Sequence, residues 1–232
     1  MTELPSDDPR ARDLTAAIKG GDADRLAAML AADSGLATCL VTEEGAGRTP
    51  LHLLADAPGG RPRAAETVRA LAAAGADLNA PAVGTWHAET PLHWAASNDD
   101  VELIDALLDA GADIDRPGSS IDDGPPIQSA LGYGQWRALR RLYERGATVT
   151  ALPFFVALGM TDRVADLISD PGFPDEELSL ALWSACRRGD VVIARMLINR
   201  GADLNWRAPW SDETPLDIAR KAGQEHLRQA LA

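Results

Sequence analysis

The chain has 232 residues and a hydrophobic fraction of 46%, which is enough apolar material for one sizeable domain or two small ones. Aromatic residues make up only 5% of the chain, so aliphatic and alanine side chains must form most of the core. There are 22 Lys and Arg against 35 Asp and Glu. The resulting net charge of −13 disfavours binding to duplex nucleic acid, because phosphate contacts need clustered cations.

The two cysteines, Cys39 and Cys186, belong to no CxxC motif or Cys/His cluster. They predict free thiols in a reducing compartment, with neither a zinc site nor a disulfide framework. No apolar run reaches about 18 residues and the first ten residues are polar and acidic, so we expect no membrane span and no signal peptide. A cytoplasmic location is predicted. Abundant Ala and the preference for Arg over Lys favour a GC-rich bacterial source.

Two short motifs recur along the chain. The first begins with Thr-Pro-Leu and is found at residues 49–52 (TPLH), 90–96 (TPLHWAA) and 214–219 (TPLDIA). The second is Gly-Ala-Asp followed by Leu or Ile and then Asn or Asp, and it occupies residues 75–79, 111–115 and 201–205. Such internal similarity is typical of repeat architectures.

The motif residues predict helix ends. Thr49, Thr90 and Thr214 are expected to be N-caps, whose hydroxyls accept a free backbone N–H of the first turn. The proline that follows each threonine suits the first helical position, where a missing N–H costs nothing. His52 and His93 fall at the third helical position, from which a side chain can reach back to the cap. The glycines of the second motif, together with the glycine at position 146, fit the left-handed position after a helix.

These motifs resemble the ankyrin repeat, for which T-P-L-H-x-A is the signature. The resemblance implies an all-α solenoid, in which paired antiparallel helices are joined by short hairpin or finger loops. Residues 101–110 agree with this fold, because their apolar side chains cover most of a helix surface and require neighbours on several sides. The resemblance also implies binding of a partner protein rather than catalysis.

The less regular copies can be placed with this register. Residues 14–30 are interpreted as the opening repeat and residues 214–231 as the closing one. Residues 125–146 match the copy that lies 35 residues earlier, whereas residues 154–168 keep only a helix pair. We expect a single ankyrin-repeat domain over residues 13–232, with six to seven repeats of which several are degenerate.

Four segments fall outside the repeat pattern. Residues 1–12 are expected to form a flexible N-terminal tail. Insertions interrupt the period at residues 56–63 (DAPGGRPR), 117–126 (PGSSIDDGPP) and 170–177 (DPGFPDEE). Insertions in solenoids often lie on binding surfaces, but surface loops also tolerate extra length at little entropic cost. Both interpretations stay open for residues 117–126, and the other two insertions are interpreted as tolerated loops.

No motif in the sequence predicts catalysis. Residues 132–137 (GYGQWR) begin like a dinucleotide-binding loop but end in arginine, and no P-loop, HExxH, GxSxG or calcium-loop pattern occurs. His87 near Glu89 could act as a base with its orienting acid, but no nucleophile has matching spacing. We therefore predict that the protein is not an enzyme and has no catalytic residue, cofactor or metal site.

Six tryptophans are unusual in a chain with three Phe and two Tyr. Tryptophan supplies a large contact area at low entropic cost and is enriched in binding hot spots. The resemblance places partner binding on the finger loops and on the exposed face of the first helices, where four of the tryptophans are expected. Trp136 and Trp183 are interpreted as packing residues. The candidate partner-binding residues are Trp86, His87, Trp94, Asn98, Asp122, Trp206, Arg207 and Trp210.

The preferred hypothesis is a non-enzymatic, monomeric module that binds a partner protein through its concave face and finger loops. One alternative is an immunity-like or antitoxin-like inhibitor of a basic protein, which the acidic charge favours. Another is a small-molecule binder or enzyme with a Trp-lined groove, for which a closed apolar pocket near residues 152–168 or 56–63 would be needed. Neither nucleic acid nor a membrane is expected as a partner.

Overall fold

The computed structural model describes residues 2–58, 60–84 and 87–231. The chain is predominantly helical, with 56% of its residues in helices. It divides into two units, Met1–Thr148 and Val149–Ala232, each with its own internal packing. Among the described residues, no helix is both long enough and apolar enough to cross a membrane.

The first unit contains eight described α-helices, a short 3-10 helix (Ser34–Thr38) and a small sheet. The helices are α1 (Pro9–Gly20), α2 (Ala23–Ala32), α3 (Pro50–Ala55), α4 (Ala64–Ala73), α5 (Pro91–Ser97), α6 (Val101–Asp109), α7 (Pro126–Tyr133) and α8 (Trp136–Glu144). The odd-numbered helices pack on one another in sequence, and so do the even-numbered ones. Each helix therefore buries side chains against the preceding and following repeat, as the apolar pattern of residues 101–110 predicts.

The sheet has three strands in the order β1 (Glu3–Pro5), β2 (Leu40–Glu43) and β3 (Ala46–Arg48). Strand β2 pairs antiparallel with β3, and Glu43 lies opposite Ala46. The two residues between them, Glu44 and Gly45, have φ angles of 49° and 85°. Positive φ at both positions suits a two-residue hairpin turn, because it matches the twist of the strands. The predicted all-α fold did not include these strands.

Folded structure begins within the segment that was expected to be a flexible tail. Strand β1 pairs in parallel with β2, with Leu4 opposite Val41, and the Leu4 side chain is buried. Helix α1 begins at Pro9, where the Asp8 carboxylate accepts the N–H of Arg10 at 2.8 Å. Residues 3–5 and 9–12 of the expected tail therefore belong to a strand and a helix.

The predicted helix caps are confirmed. The Thr49 hydroxyl accepts the N–H of His52, and Thr214 forms a capping box with Asp217 in which each side chain accepts the other residue's backbone N–H. At the start of α5, His93 Nδ1 accepts the backbone N–H of Thr90 at 3.1 Å. The left-handed glycines are confirmed as well: Gly75, Gly111, Gly146 and Gly201 have φ angles between 94° and 115°.

The two motif histidines also connect neighbouring repeats. His52 Nε2 donates to the carbonyl of Glu89 at 3.0 Å, and His93 Nε2 donates to the carbonyl of Gly124 at 3.2 Å. On the other side of each ring, Nδ1 faces the hydroxyl of the capping threonine at 2.8 to 2.9 Å. Both rings are fully buried, and burial lowers both pKa values, that of His52 to about 4. Each ring is thus neutral and carries its proton on Nε2.

The second unit contains six described helices: α9 (Leu152–Leu158), α10 (Thr161–Ile168), α11 (Asp175–Arg188), α12 (Val191–Arg200), α13 (Pro215–Lys221) and α14 (Glu225–Leu231). Helix α11 packs on both α9 and α13, and α12 packs on both α10 and α14. The buried core of the second unit consists mainly of aliphatic side chains from these helices. The helices of this unit thus follow the same two-row arrangement.

Part of the insertion at residues 170–177 is helical rather than a loop. Helix α11 begins at Asp175, and its first turn carries Asp175, Glu176 and Glu177. Carboxylates are favourable at a helix N-terminus, where they interact with the free N–H groups and the positive end of the helix dipole. This acidic run therefore extends α11 to 14 residues.

Candidate functional site

The predicted site residues near the finger loops of the first unit are exposed. His87 is exposed in the segment before α5, and Asp122 is exposed in the insertion between α6 and α7. Asp122 and Asp123 both have left-handed backbone conformations, with φ angles of 54° and 53°. Trp86 lies outside the described residues.

Trp94 lies on α5, is partly buried, and has three contacts within its own unit. Its Nε1 donates to the Glu89 carboxylate at 3.2 Å. The ring of His52 meets it edge to face with centroids 4.9 Å apart, and the Arg48 guanidinium lies 5.5 Å from the Trp94 ring centroid. These contacts fix the orientation of the indole, so Trp94 has a structural role whether or not it also contacts a partner.

Glu89 connects Trp94 to the insertion at residues 117–126. One carboxylate oxygen accepts from Trp94, and the other accepts the backbone N–H of Ser120 at 2.9 Å. Asn98, the candidate that follows α5 as its C-cap, donates from Nδ2 to the carbonyl of Ala55 at 2.8 Å. That carbonyl belongs to the last residue of α3, so Asn98 satisfies a free group at the end of the preceding helix.

The remaining predicted residues lie together in the hairpin between α12 and α13. The hairpin is closed by a hydrogen bond from the Ala208 N–H to the Glu213 carbonyl at 3.1 Å. Arg207 reinforces it by donating from Nη1 to the Asp212 carbonyl at 2.7 Å. Trp206 is partly buried, whereas Trp210 is 62% exposed. An indole with that exposure on a closed hairpin is a rigid apolar projection.

Trp210 packs between two other tryptophans. Its ring meets Trp183 on α11 with centroids 5.6 Å apart, and it meets Trp206 with centroids 6.2 Å apart. Both pairs are edge to face, an arrangement that contributes about 0.5–1.5 kcal/mol beyond the area buried. We call these three residues the tryptophan cluster.

Trp183 was interpreted from the sequence as a packing residue and is indeed only 7% exposed, but it also supports the exposed Trp210. Arg187 lies one helical turn further along α11, with its guanidinium 5.5 Å from the Trp183 ring centroid. The i and i+4 spacing of Trp183 and Arg187 is the sequence signal that could have placed both residues at this site.

The charges around the tryptophan cluster are partly desolvated. Burial lowers the pKa of Arg187, and the nearby Glu213 carboxylate opposes this effect. Glu213 itself is ion-paired with Lys221, which lowers the Glu213 pKa. The Nε1–H of Trp183 is buried and has no hydrogen-bond acceptor among the described residues. The cluster thus combines apolar area with a buried donor and a half-buried cation.

The described residues contain no cluster of three or more His, Cys, Asp or Glu side chains that could hold a metal ion. Burial raises the pKa of Cys39 to about 11 and that of Cys186 to about 12, so both thiols stay protonated at neutral pH and are poor nucleophiles. A cleft of about 410 Å³ lies beside residues 60–62, but its lining is mainly charged: Arg61, Asp99, Asp100, Glu102 and Arg137.

Family models match two parts of the chain. The model for ankyrin repeats in three copies matches residues 14–118, and the model for a single ankyrin repeat matches residues 179–208. These matches and the two rows of capped helices define a repeat protein of the kind that generally binds other proteins. The chain belongs to the ankyrin-repeat family.

Curated relatives and a solved structure agree with this assignment. An ankyrin repeat and KH domain-containing protein of Caenorhabditis briggsae, CBG24701, is 31% identical over 166 residues, which is 68% of this chain and 6% of that protein. The related mask-1 of Caenorhabditis elegans is 23% identical over 164 residues, which is 67% of this chain and 6% of mask-1. This chain therefore spans only a small part of the length of either relative.

The crystal structure of the human ASB11 ankyrin repeat domain matches 94% of this chain and 95% of that chain, with a TM-score of 0.56 and 22% identity. At this level of identity the match concerns the fold. Its coverage of 94% of the chain is larger than that of the family models, so it supports the ankyrin-repeat fold beyond the segments that those models match.

Proposed function

We propose that this protein binds a partner protein through the tryptophan cluster and the finger loops, without catalysing a reaction. The proposal uses the arrangement predicted from the sequence, in which paired antiparallel helices stack as a solenoid and hairpins project from one side. The observation that carries it is Trp210, a 62% exposed indole held on a closed hairpin by two other tryptophans. Interfaces are enriched in such tryptophans, because a ring that is already fixed loses little entropy on binding.

The contribution of Trp94 needs a separate test from that of Trp206 and Trp210. Trp94 contacts Arg48, His52 and Glu89, so its replacement would disturb the first unit as well as any partner contact. Trp86, His87, Asn98, Asp122 and Arg207 stay in the proposal as further contacts on the finger loops and the adjoining face.

The test compares wild type with a Trp206→Ala/Trp210→Ala variant in matched pull-downs from native lysate, with quantitative mass spectrometry. A partner should be recovered by wild type and depleted at least tenfold with the variant, since hot-spot tryptophans contribute about 2 kcal/mol or more. A Val192→Ala variant is the matched control, because Val192 is 60% exposed on α12 of the same unit. Recovery of the same proteins at the same level by wild type and the folded double variant would refute the proposal.

A second candidate, inhibition of a basic protein, is favoured by the distribution of charge. Residues 1–148 contain 13 Lys and Arg against 23 Asp and Glu, a net charge of −10. Residues 149–232 contain 9 against 12, a net charge of −3. An acidic surface raises the rate of association with a basic partner and makes this rate salt-dependent.

Neutralisation of exposed carboxylates tests the second candidate. Glu43→Gln with Glu102→Gln, two exposed carboxylates of the first unit outside the proposed contacts, should slow association with the recovered partner a few-fold at low salt and leave its dissociation rate nearly unchanged. The matched control is Glu176→Gln with Glu177→Gln, which removes two exposed charges from the second unit. Equal association rates for both variants and wild type, or a partner with an acidic surface, would refute this candidate.

The other predictions remain as they were made from the sequence. These are one domain over residues 13–232, a monomeric state, a cytoplasmic location, a bacterial source, and no binding to nucleic acid. An enzymatic or small-molecule function is not proposed, because the cleft beside residues 60–62 is lined by charged side chains rather than enclosed by apolar ones.

A further inference from the structure

The repeat register places Trp183 at the position that His52 and His93 occupy in the first unit. His93 lies six residues before Asp99, which has a left-handed conformation after α5, and Trp183 lies six residues before the left-handed Gly189 after α11. Both histidines donate an N–H to a carbonyl in the next hairpin. The indole of Trp183 also carries an N–H, but this group is buried and has no acceptor among the described residues.

The hairpin carbonyl that corresponds to the acceptors of the histidines is that of Glu213, the residue before Thr214. This carbonyl accepts the N–H of Ala208, and the Glu213 side chain is ion-paired with Lys221. A buried N–H without an acceptor destabilises the folded chain, because it has lost its hydrogen bond to water and gained none in return. An acceptor supplied from outside the chain would remove this cost, which makes the position favourable for binding a hydrogen-bond acceptor.

The surroundings of Trp183 select the chemistry of that acceptor. The guanidinium of Arg187 lies 5.5 Å from the Trp183 ring centroid, and burial is the main cause of its lowered pKa. Arg207, in the adjoining hairpin, adds a second cation, 58% exposed at its side chain. A carboxylate can accept from an indole N–H and a guanidinium together, and such charge-assisted bonds are about twice as strong as neutral ones.

We infer that the tryptophan cluster binds a segment of a partner protein in which an aspartate or glutamate side chain lies next to an apolar side chain. The carboxylate accepts from Trp183 Nε1 and Arg187, and the apolar side chain packs on the exposed face of Trp210. Trp210 is the exposed neighbour of the buried Trp183, so adjacent side chains of one partner segment can contact both indoles. This inference rests on the proposed function and names the chemistry of the partner at the same surface.

The first experiment selects random peptides of about twelve residues by display on the immobilised full chain, with the Trp206→Ala/Trp210→Ala variant as the counter-target. Peptides enriched on wild type should share an acidic residue beside an apolar one. Enrichment of basic or neutral sequences would overturn the inference and leave the proposed function intact. No enrichment of wild type over the variant would overturn both.

The second experiment measures the affinity of the best peptide and of its Asp→Asn or Glu→Gln form by titration calorimetry. The amide form should bind roughly 10- to 100-fold more weakly, as expected for loss of charge-assisted hydrogen bonds. Arg187→Gln should weaken the acidic peptide by a similar factor but leave the amide peptide unaffected. Arg163→Gln on α10, where the side chain is exposed, is the matched control and should change neither affinity.

Indole resonances provide a readout that is independent of affinity. In the ¹⁵N-labelled chain, the Nε1–H signal lost in a Trp183→Phe variant identifies Trp183, and the acidic peptide should move this signal downfield as the hydrogen bond forms. If Arg187→Gln does not fold, the substitution within the peptide and the Trp183 signal still decide the question. Equal affinity for the acid and amide peptides, or an unmoved Trp183 signal at saturation, would overturn the inference.

Discussion

Acidification should destabilise the first unit through His52. This imidazole is fully buried, donates to the Glu89 carbonyl and faces the Thr49 hydroxyl, and its pKa is lowered from 6.5 to about 4 by burial. In the unfolded chain the same group should titrate near its usual value of about 6.5. Between these two pKa values, the unfolded state binds a proton that the folded state excludes, so stability falls as the pH falls.

The size of the effect follows from the two pKa values. The contribution of His52 is fully present above the unfolded pKa and is lost as the pH falls toward the folded pKa. From about pH 8 to about pH 5, the loss amounts to about 2 kcal/mol for this one group. The pKa of His93 is lowered in the same direction by burial, so its titration adds to the loss.

The assay is urea unfolding followed by circular dichroism at both pH values, for wild type and His52→Gln. Glutamine at this helical position can still reach the N-cap, but it does not titrate. The loss of stability on acidification should therefore be smaller by about 2 kcal/mol in the variant. A His226→Gln variant, which removes an exposed histidine from α14, is the matched control and should behave like wild type.

A direct measurement of the His52 pKa would decide whether the physical reasoning holds. The Cε1–H resonance of His52 in the folded protein should titrate near pH 4. If it titrates near the ordinary value, or if His52→Gln and wild type lose the same stability on acidification, then burial does not hold the imidazole neutral.

Three further predictions concern single side chains. Asp99 has a left-handed backbone, and its carboxylate accepts the Ala138 N–H at 2.7 Å. Asp99→Ala and Asp99→Gly both lose this hydrogen bond, but only alanine is strained in the left-handed conformation. In urea unfolding, Asp99→Ala should therefore be less stable than Asp99→Gly by about 1 kcal/mol. Trp183→Ala should cost about 3–5 kcal/mol. Trp210→Ala should cost only about 1–2 kcal/mol, because this exposed indole loses its two edge-to-face ring pairs but fills no core volume. Equal losses for the two variants would contradict the difference in burial. Leu107→Ala, at a fully buried position on α6, should lower the free energy of unfolding by about 2–5 kcal/mol, and a smaller loss would indicate that the helix row is loosely packed.

The local signals in the sequence predicted the helices well because caps act over a few residues. The N-caps Thr49, Thr90 and Thr214 precede α3, α5 and α13. The glycine that begins each Gly-Ala-Asp motif follows a helix and is left-handed. Strand β1 was missed because it pairs with a segment about 37 residues away, with Glu3 opposite Leu40. Pairing over that distance depends on how the intervening helices pack, which no short motif reports.

The candidate site could be predicted only in part for the same reason. Spacing after the Gly-Ala-Asp motif correctly placed Trp206 and Trp210 in a hairpin. The contact of Trp210 with Trp183 joins that hairpin to α11, and the contacts of Trp94 join three segments of the first unit. These are tertiary contacts between residues far apart in sequence, so composition and periodicity could not distinguish a supporting indole from an exposed one.

The hydrogen bonds that His52 and His93 donate from their helices to carbonyls of the following loop affect how readily single repeats can open. In a repeat protein, stability is a sum of terms for each repeat and terms for each interface between neighbours. The bonds from His52 and His93 strengthen two such interfaces, so amide hydrogens of the first unit should exchange together rather than repeat by repeat. The indole at position 183 makes no corresponding bond among the described residues, and local opening around α11 is correspondingly less costly. The hairpin that packs against α11 also carries the exposed indole of Trp210, so local opening in this unit would change the surface that Trp210 presents.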